Sequence, residues 1–112
     1  MDGLDPIERQ GQVRWYKKPE AQFTYVVALD PSLGTGGDPA GIQVFELPTF
    51  KQVAEWQHNR TPIQQQVGIL TEITKYLAEN VNPNNVYYSV ENNTVGEAAL
   101  ICISEKIGRA HV

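Results

Sequence analysis

The stretch that most constrains this chain is a short apolar run that ends on an acid and enters a glycine-rich turn. It reads YVVALDPSLGTGGD and spans Tyr25 to Asp38. Five apolar or aromatic residues lead directly into Asp30, and three glycines precede the second aspartate. A strand that brings a carboxylate to its last position, followed by a flexible turn, is a common way to build a metal or phosphate site. The remaining residues must decide between these two kinds of site.

The composition is that of an ordinary globular domain. The 112 residues suffice for one small domain or part of a larger one. A hydrophobic content of 41% argues against disorder, and a net charge of −4 gives no overall basic surface for nucleic acid. The single cysteine, Cys102, excludes an internal disulfide and a cysteine-based zinc site. No apolar run approaches the ~20 residues that span a bilayer, so we expect a cytosolic chain with no membrane partner.

The first 22 residues are polar and punctuated by proline and glycine, which predicts a linker or leader over residues 1–22. Basic residues surround Trp15 and Tyr16 within this segment, a combination that can contact nucleic acid. Three basic charges are too few to favour that interpretation. We therefore expect a solvated linker anchored by one aromatic side chain.

Residues 23–58 predict three strands with tight connections, which together favour an antiparallel meander. The strands are expected at Phe23–Asp30, Gly41–Leu47 and Phe50–His58. The first lacks strict alternation, which is typical of a strand buried on both faces. In the third, apolar residues recur every three positions, a spacing that also fits a short helix.

A helix is predicted to begin at Thr61 and Pro62 and to end near Asn80. Its apolar positions recur at three- and four-residue spacing: Ile63, Val67, Leu70, Ile73 or Thr74, and Leu77. A strand over Val86–Glu91 and a second helix over residues 94–107 complete the order β-β-β-α-β-α. Two of the predicted strands end in carboxylates.

Asp30 and Glu91 are these two carboxylates. If their strands are parallel neighbours joined by a helical crossover, both acids emerge at the same edge of the sheet. They then repel each other unless a proton or a divalent cation intervenes, and carboxylate oxygens suit Mg²⁺ or Mn²⁺. Two such ions ~4 Å apart can promote phosphodiester hydrolysis. Asp38 fits a further ligand or a turn residue equally well.

Two other interpretations of the turn stay open. No lysine follows Gly37, and the next element is a strand, so the P-loop and dinucleotide patterns fail. A phosphate-binding turn of the sugar-kinase or actin type, which has the same kind of sheet, is still compatible with the sequence. So is a non-catalytic structural domain in which the two acids merely cap turns.

The segments LDPSLGTGGDPAGIQVFEL and VYYSVENNTVGEAAL, with the predicted helix between them, resemble a known family. It is the C-terminal nuclease domain of the large terminase subunit of tailed bacteriophages, with the T4-like group closest, and the resemblance covers roughly residues 23–106. It implies an RNase H-like α/β fold with a mixed sheet and two-metal-ion cleavage of concatemeric viral DNA during packaging. The implied cofactors are two Mg²⁺ or Mn²⁺ ions. The implied partners are double-stranded viral DNA, the portal protein, the terminase ATPase domain and the small subunit, in the host cytoplasm.

The resemblance also assigns roles to residues. Asp30 resembles the first-strand metal ligand, Glu91 the ligand after the fourth strand, and Asp38 an additional acid near the metals. Residues 92–94 match the segment that begins the next helix beside the cleft.

The chain departs from this family in two ways. The ATPase motifs are absent, and the third catalytic aspartate of the family is expected beyond Ile107. We therefore expect a partial nuclease domain over residues 23–106, with its C-terminal part missing and no activity on its own. The last six residues, IGRAHV, can be back-translated into the start of a common sequencing adapter. Residues 107–112 are therefore hypothesised to be a sequencing artefact.

Overall fold

Three antiparallel strands form the centre of a mixed sheet in the computed structural model, which describes residues 8–10 and 12–91. The elements are β1 (Glu8–Gln10), β2 (Val13–Trp15), β3 (Thr24–Asp30), β4 (Ala40–Leu47), β5 (Lys51–His58), α1 (Ile63–Asn80) and β6 (Val86–Val90), with a short 3-10 helix at Pro83–Asn85 before β6. The six strands form one sheet in the order β1-β2-β5-β4-β3-β6. The predicted α/β fold with a mixed sheet is confirmed.

The strands that end at Asp30 and before Glu91 are parallel neighbours, as the convergence of the two acids requires. β3 pairs with β4 in antiparallel fashion and with β6 in parallel fashion, with Leu29 opposite Val90. α1 is the crossover that returns the chain from β5 to β6. The predicted meander and the predicted parallel pair are therefore both confirmed.

One face of the sheet packs against α1 and holds the core. Along β3, buried and half-buried residues alternate, with Tyr25, Val27 and Leu29 on the buried face. From α1, the buried side chains are Gln66, Val67, Leu70, Ile73 and Leu77. The intervening β3 residues Val26 and Ala28 are only half-buried. The prediction that β3 is buried on both faces is therefore wrong for the described part of the chain.

β5 is a strand, and a bulge explains why its apolar spacing also resembled a helix. The pairing register between β4 and β5 shifts between Val44 and Phe45. Opposite this shift, Val53 and Ala54 are both buried, although consecutive strand residues normally face opposite sides. Val53 and Trp56, three residues apart, therefore enter the same core.

The N-terminal segment joins the sheet, which differs from the predicted linker. β2 pairs with β5, and Trp15 lies opposite Ala54. The Trp15 side chain is fully buried, and its ring centroid lies 4.9 Å from that of Tyr76 on α1. The linker interpretation is therefore wrong for Val13–Trp15.

Three predictions lie outside the described residues: the helix over residues 94–107, the segment 92–94 and the hypothesis for residues 107–112. The domain boundaries stay predictions.

A buried carboxylate fixes the end of the sheet farthest from Asp30. Glu46 has no exposed surface and accepts hydrogen bonds from Lys17 (2.8 and 3.0 Å to its two oxygens), Thr49 (2.6 Å) and Tyr25 (3.3 Å). Burial alone would raise the pKa of Glu46, but these hydrogen bonds outweigh it, and the pKa lies below its usual value. Hydrogen bonds to Glu46 and then Glu20 raise the pKa of Lys17. This network ties the segment before β3 to the core.

We expect Glu46→Gln to lower the free energy of unfolding by about 1.5–3 kcal/mol at neutral pH, the range for hydrogen bonds to a charged group. The folded pKa of Glu46 lies below that of the unfolded chain, so its stabilisation is fully present above about pH 5. It is lost as the pH falls through the folded value. Urea unfolding of both proteins at a series of pH values measures this difference. A gap between them that stays constant down to about pH 3 would contradict the prediction.

Candidate metal centre

β3 and β6 bring two carboxylates to one edge of the sheet. Asp30 is the last residue of β3, and Glu91 directly follows β6. The Glu91 backbone N–H donates to the Leu29 carbonyl at 3.0 Å, which extends the parallel pairing to the end of both strands. Both acid side chains are exposed to solvent. The convergence that the strand ends predict is therefore present in the structure.

The two side chains are close enough for Asp30 to affect the ionisation of Glu91. A hydrogen bond with Asp30, and then the negative charge of that residue, raise the pKa of Glu91. Two neighbouring negative charges repel each other, and a divalent cation between them would relieve this repulsion. An oxygen-only donor set of this kind fits Mg²⁺ or Mn²⁺, which commonly bind proteins through one or two carboxylates and retain several waters.

The pair opens into a cavity of about 830 Å³ formed by the ends of four strands. Asp30, Asp38 and Glu91 all contribute to its wall, as do Gln43 and Gln57. This volume lies within the usual range of ligand-binding sites, ~300–1,000 Å³. The cavity therefore places all three predicted site residues around one space.

Asp38 lies in the connection between β3 and β4, whereas Asp30 and Glu91 lie at the ends of β3 and β6. It lies on the cavity wall, exposed, eight positions after Asp30. Within residues 8–10 and 12–91, no cluster of three or more His, Cys, Asp or Glu side chains could hold a metal ion. The structure therefore pairs Asp30 with Glu91, while the predicted metal role of Asp38 stays a prediction.

The turn after Asp30 is fastened to the connection between β5 and α1. Gly36 N–H donates to the Asn59 carbonyl at 2.8 Å, and the Asn59 side chain donates to the Gly36 carbonyl at 3.2 Å. Gly34, with a φ of 75°, lies directly against the backbone of Thr61. These contacts hold the glycine-rich turn in one place beside the two acids.

We expect Gly34→Ala to lower the free energy of unfolding by about 1–3 kcal/mol, because its positive φ is strained for any residue with a Cβ. A Cβ at this position would also lie 2.3 Å from the Thr61 carbonyl oxygen, so the backbone would have to shift. Gly37→Ala is the matched control, since a Cβ there meets no atom within 4 Å. Urea unfolding measures both, and equal stability of the two variants would contradict this expectation.

The sequence interpretation missed Gln66. It predicted only apolar residues on the buried side of the helix, whereas Gln66 is fully buried. The Gln66 amide bonds to Ser32, in the turn after Asp30, and to Thr61. Its place in the apolar stripe, three residues after Ile63 and four before Leu70, was the available signal.

The start of α1 also differs slightly from its prediction. Pro62, not Thr61, is the residue before the first helical position, and no side chain caps the helix. Instead, the Thr61 hydroxyl contacts His58 Nδ1 at 2.9 Å.

None of the helices in the described part of the chain combines the length and apolar character that crossing a membrane requires.

The mixed sheet with its crossover helix has the RNase H-like α/β architecture, and solved phage nucleases share it. The large terminase nuclease from thermophilic phage G20c with bound zinc superposes with a TM-score of 0.71 at 18% identity, over 92% of this chain and 55% of that one. Its form with bound magnesium gives 0.56 at 16% identity, over 94% and 66%. The large terminase nuclease domain of Thermus phage P74-26 gives 0.58 at 17% identity, over 94% and 64%.

The chain thus spans less than two thirds of the length of these nucleases. No family model and no curated protein matches it. It shares the fold of large terminase nuclease domains, as the resemblance implied.

Proposed function

We propose that this chain is part of the metal-dependent endonuclease of a phage large terminase, which cuts concatemeric viral DNA during genome packaging. The observation that carries the proposal is the convergence of Asp30 and Glu91 at the ends of two parallel strands, on the wall of one cavity. The similarity in fold to terminase nucleases with bound zinc and magnesium supports it.

In this proposal, Asp30 and Glu91 hold Mg²⁺ or Mn²⁺, and Asp38 is a further acid at the cavity wall. When bound, a pair of such ions activates water and stabilises the leaving oxygen of a phosphodiester. β3 and β6 bring the two carboxylates to the same edge of the sheet, and the cavity leaves room for a phosphate group. A proton on Glu91 would compete with the cation, and the raised pKa of Glu91 extends this competition to a higher pH than for an ordinary glutamate.

The wider biological setting is part of the same proposal. Double-stranded viral DNA is the substrate, and the portal protein, the terminase ATPase domain and the small subunit are the partners, in the host cytoplasm. The resemblance implies a third catalytic acid, and no cluster of three acids occurs among the described residues. We therefore propose that the chain alone binds the cation but does not cleave DNA.

Two measurements test the proposal: calorimetric titration of the chain with Mn²⁺, and nicking of supercoiled plasmid with Mn²⁺ by a longer protein that carries this sequence. We expect saturable Mn²⁺ binding by the chain, and nicking that EDTA abolishes. Stabilisation by ATP without any response to Mn²⁺ alone would instead support the sugar-kinase or actin-like interpretation. No response to either ligand would support a structural domain.

A further inference from the structure

The side chain of Gln66 is buried on the sheet-facing side of α1 and bonds only to backbone groups. Its amide nitrogen donates to the carbonyl oxygens of Ser32 at 2.8 Å and Thr61 at 2.7 Å. Its amide oxygen accepts from the Ser32 N–H at 3.3 Å. Gln66 has no exposed surface, and both donors and the acceptor of its amide are used.

These bonds reach the chain two residues beyond Asp30. Ser32 lies in no strand or helix, so its backbone groups lack the partners that a ladder would provide, and both bond to Gln66. On the other side of Asp30, the Leu29 carbonyl accepts the N–H of Glu91. Pro31, between the acid and Ser32, is buried and has a restricted φ. Asp30 therefore lies between two backbone segments that are held by hydrogen bonds, Leu29 by the N–H of Glu91 and Ser32 by Gln66 of α1.

Packing alone does not require an amide at this position. The other buried residues of α1, such as Val67 and Leu70, are apolar, and an apolar side chain of similar length would fill the same volume. Burial of an amide is tolerated only where its hydrogen bonds are satisfied. Here two of the three bonds go to Ser32, the second residue of the turn after Asp30.

We propose that Gln66 is a positioning residue for the metal centre. Through its hydrogen bonds to the backbone of Ser32, Gln66 holds the Asp30 carboxylate beside Glu91. This inference rests on the proposed function, because it assigns Gln66 to the same pair of carboxylates. Loss of the hydrogen bonds between Gln66 and Ser32 leaves both carboxylates, Asp30 and Glu91, in the chain. It frees the turn, so that the carboxylates are no longer held at the separation that a shared cation needs.

The test is Mn²⁺ affinity, measured by titration calorimetry at a temperature where circular dichroism shows each protein folded. Gln66→Met preserves the length of the side chain and removes all three hydrogen bonds, and we expect it to weaken Mn²⁺ binding about 10-fold or more. Gln66→Glu removes at least one of the two donors, and any charge that it adds is negative, which by itself would attract Mn²⁺. Weaker binding by this second variant therefore cannot be a charge effect.

Two controls separate positioning from stability. Val67→Ala removes buried volume next to Gln66 and leaves the Gln66 hydrogen bonds in place, and we expect a lower melting temperature with unchanged Mn²⁺ affinity. Gln65→Met alters an exposed neighbour and should change neither property.

Wild-type affinity in both Gln66 variants would overturn the inference, as would an equal loss in Val67→Ala. Failure of both Gln66 variants to fold would overturn it too, because Gln66 would then act on global stability. Asp30→Asn that binds Mn²⁺ as tightly as the wild type would overturn the proposed function itself. That last result involves no change at Gln66, so the two failures are distinguishable.

Discussion

In a longer protein that carries this sequence, Asp30→Asn is expected to reduce Mn²⁺-dependent plasmid cleavage by at least about 100-fold, because a metal ligand contributes several kcal/mol to the transition state. The substitution preserves the shape of an exposed side chain, so the fold should be unaffected. In the chain itself, the same change should weaken Mn²⁺ binding. It should also return the pKa of Glu91 toward its ordinary value, since hydrogen bonding to Asp30 and the charge of Asp30 raise it. NMR titration of the Glu91 carboxyl measures that shift.

Glu91→Gln should produce the same loss of cleavage and of Mn²⁺ binding, because both carboxylates hold the same cation in the proposal. Asp38→Asn is the matched comparison, because it changes an acid of the same cavity wall that does not follow β3 or β6 directly. We expect a smaller effect there than at Asp30. Unchanged cleavage in Asp30→Asn would remove that residue from the site, and a loss in Asp38→Asn as large as in the other two would make it a third ligand.

Trp15→Ala is expected to lower the free energy of unfolding by about 3–5 kcal/mol, the usual range for removing a large buried aromatic side chain. Trp15 is fully buried and packs against Tyr76 of α1, so the truncation leaves a cavity between the sheet and the helix. Small domains are stable by only about 5–15 kcal/mol in total, so the variant should be substantially less stable at any temperature. Urea unfolding followed by circular dichroism measures the change.

Arg14→Ala provides the control for this prediction on the same short strand. Arg14 is half-buried, and its ion pair with Glu55 spans 3.4 Å at the surface of the sheet. Such pairs contribute about 0–1 kcal/mol, so the stability of this variant should stay close to that of the wild type. A change of less than about 0.5 kcal/mol for Trp15→Ala would indicate instead that β2 contributes nothing to the fold.

Local patterns predicted the central elements well, because each of these elements has a periodicity that its own residues display. The meander from Thr24 to His58 and the helix over Ile63–Asn80 were predicted to within one or two residues at their ends. The bulge in β5 is the exception. It places Val53 and Trp56 on one face, and only the pairing partner shows where the register shifts.

The sequence by itself determined that two carboxylates follow strand-like runs and that a helix of crossover length separates them. These two facts led to Asp30 and Glu91. Only the tertiary structure decided which other residues support them, because such contacts join positions far apart in the chain. Trp15 lies in a polar stretch of the sequence, yet its side chain is buried against α1. Gln66 bonds to a turn 34 residues earlier in the chain. A hydrogen bond across that distance leaves no periodic signal, since it depends on how the helix and the sheet meet. The stretch from Tyr25 to Asp38 thus specifies the acid, while α1 fixes the turn that follows it.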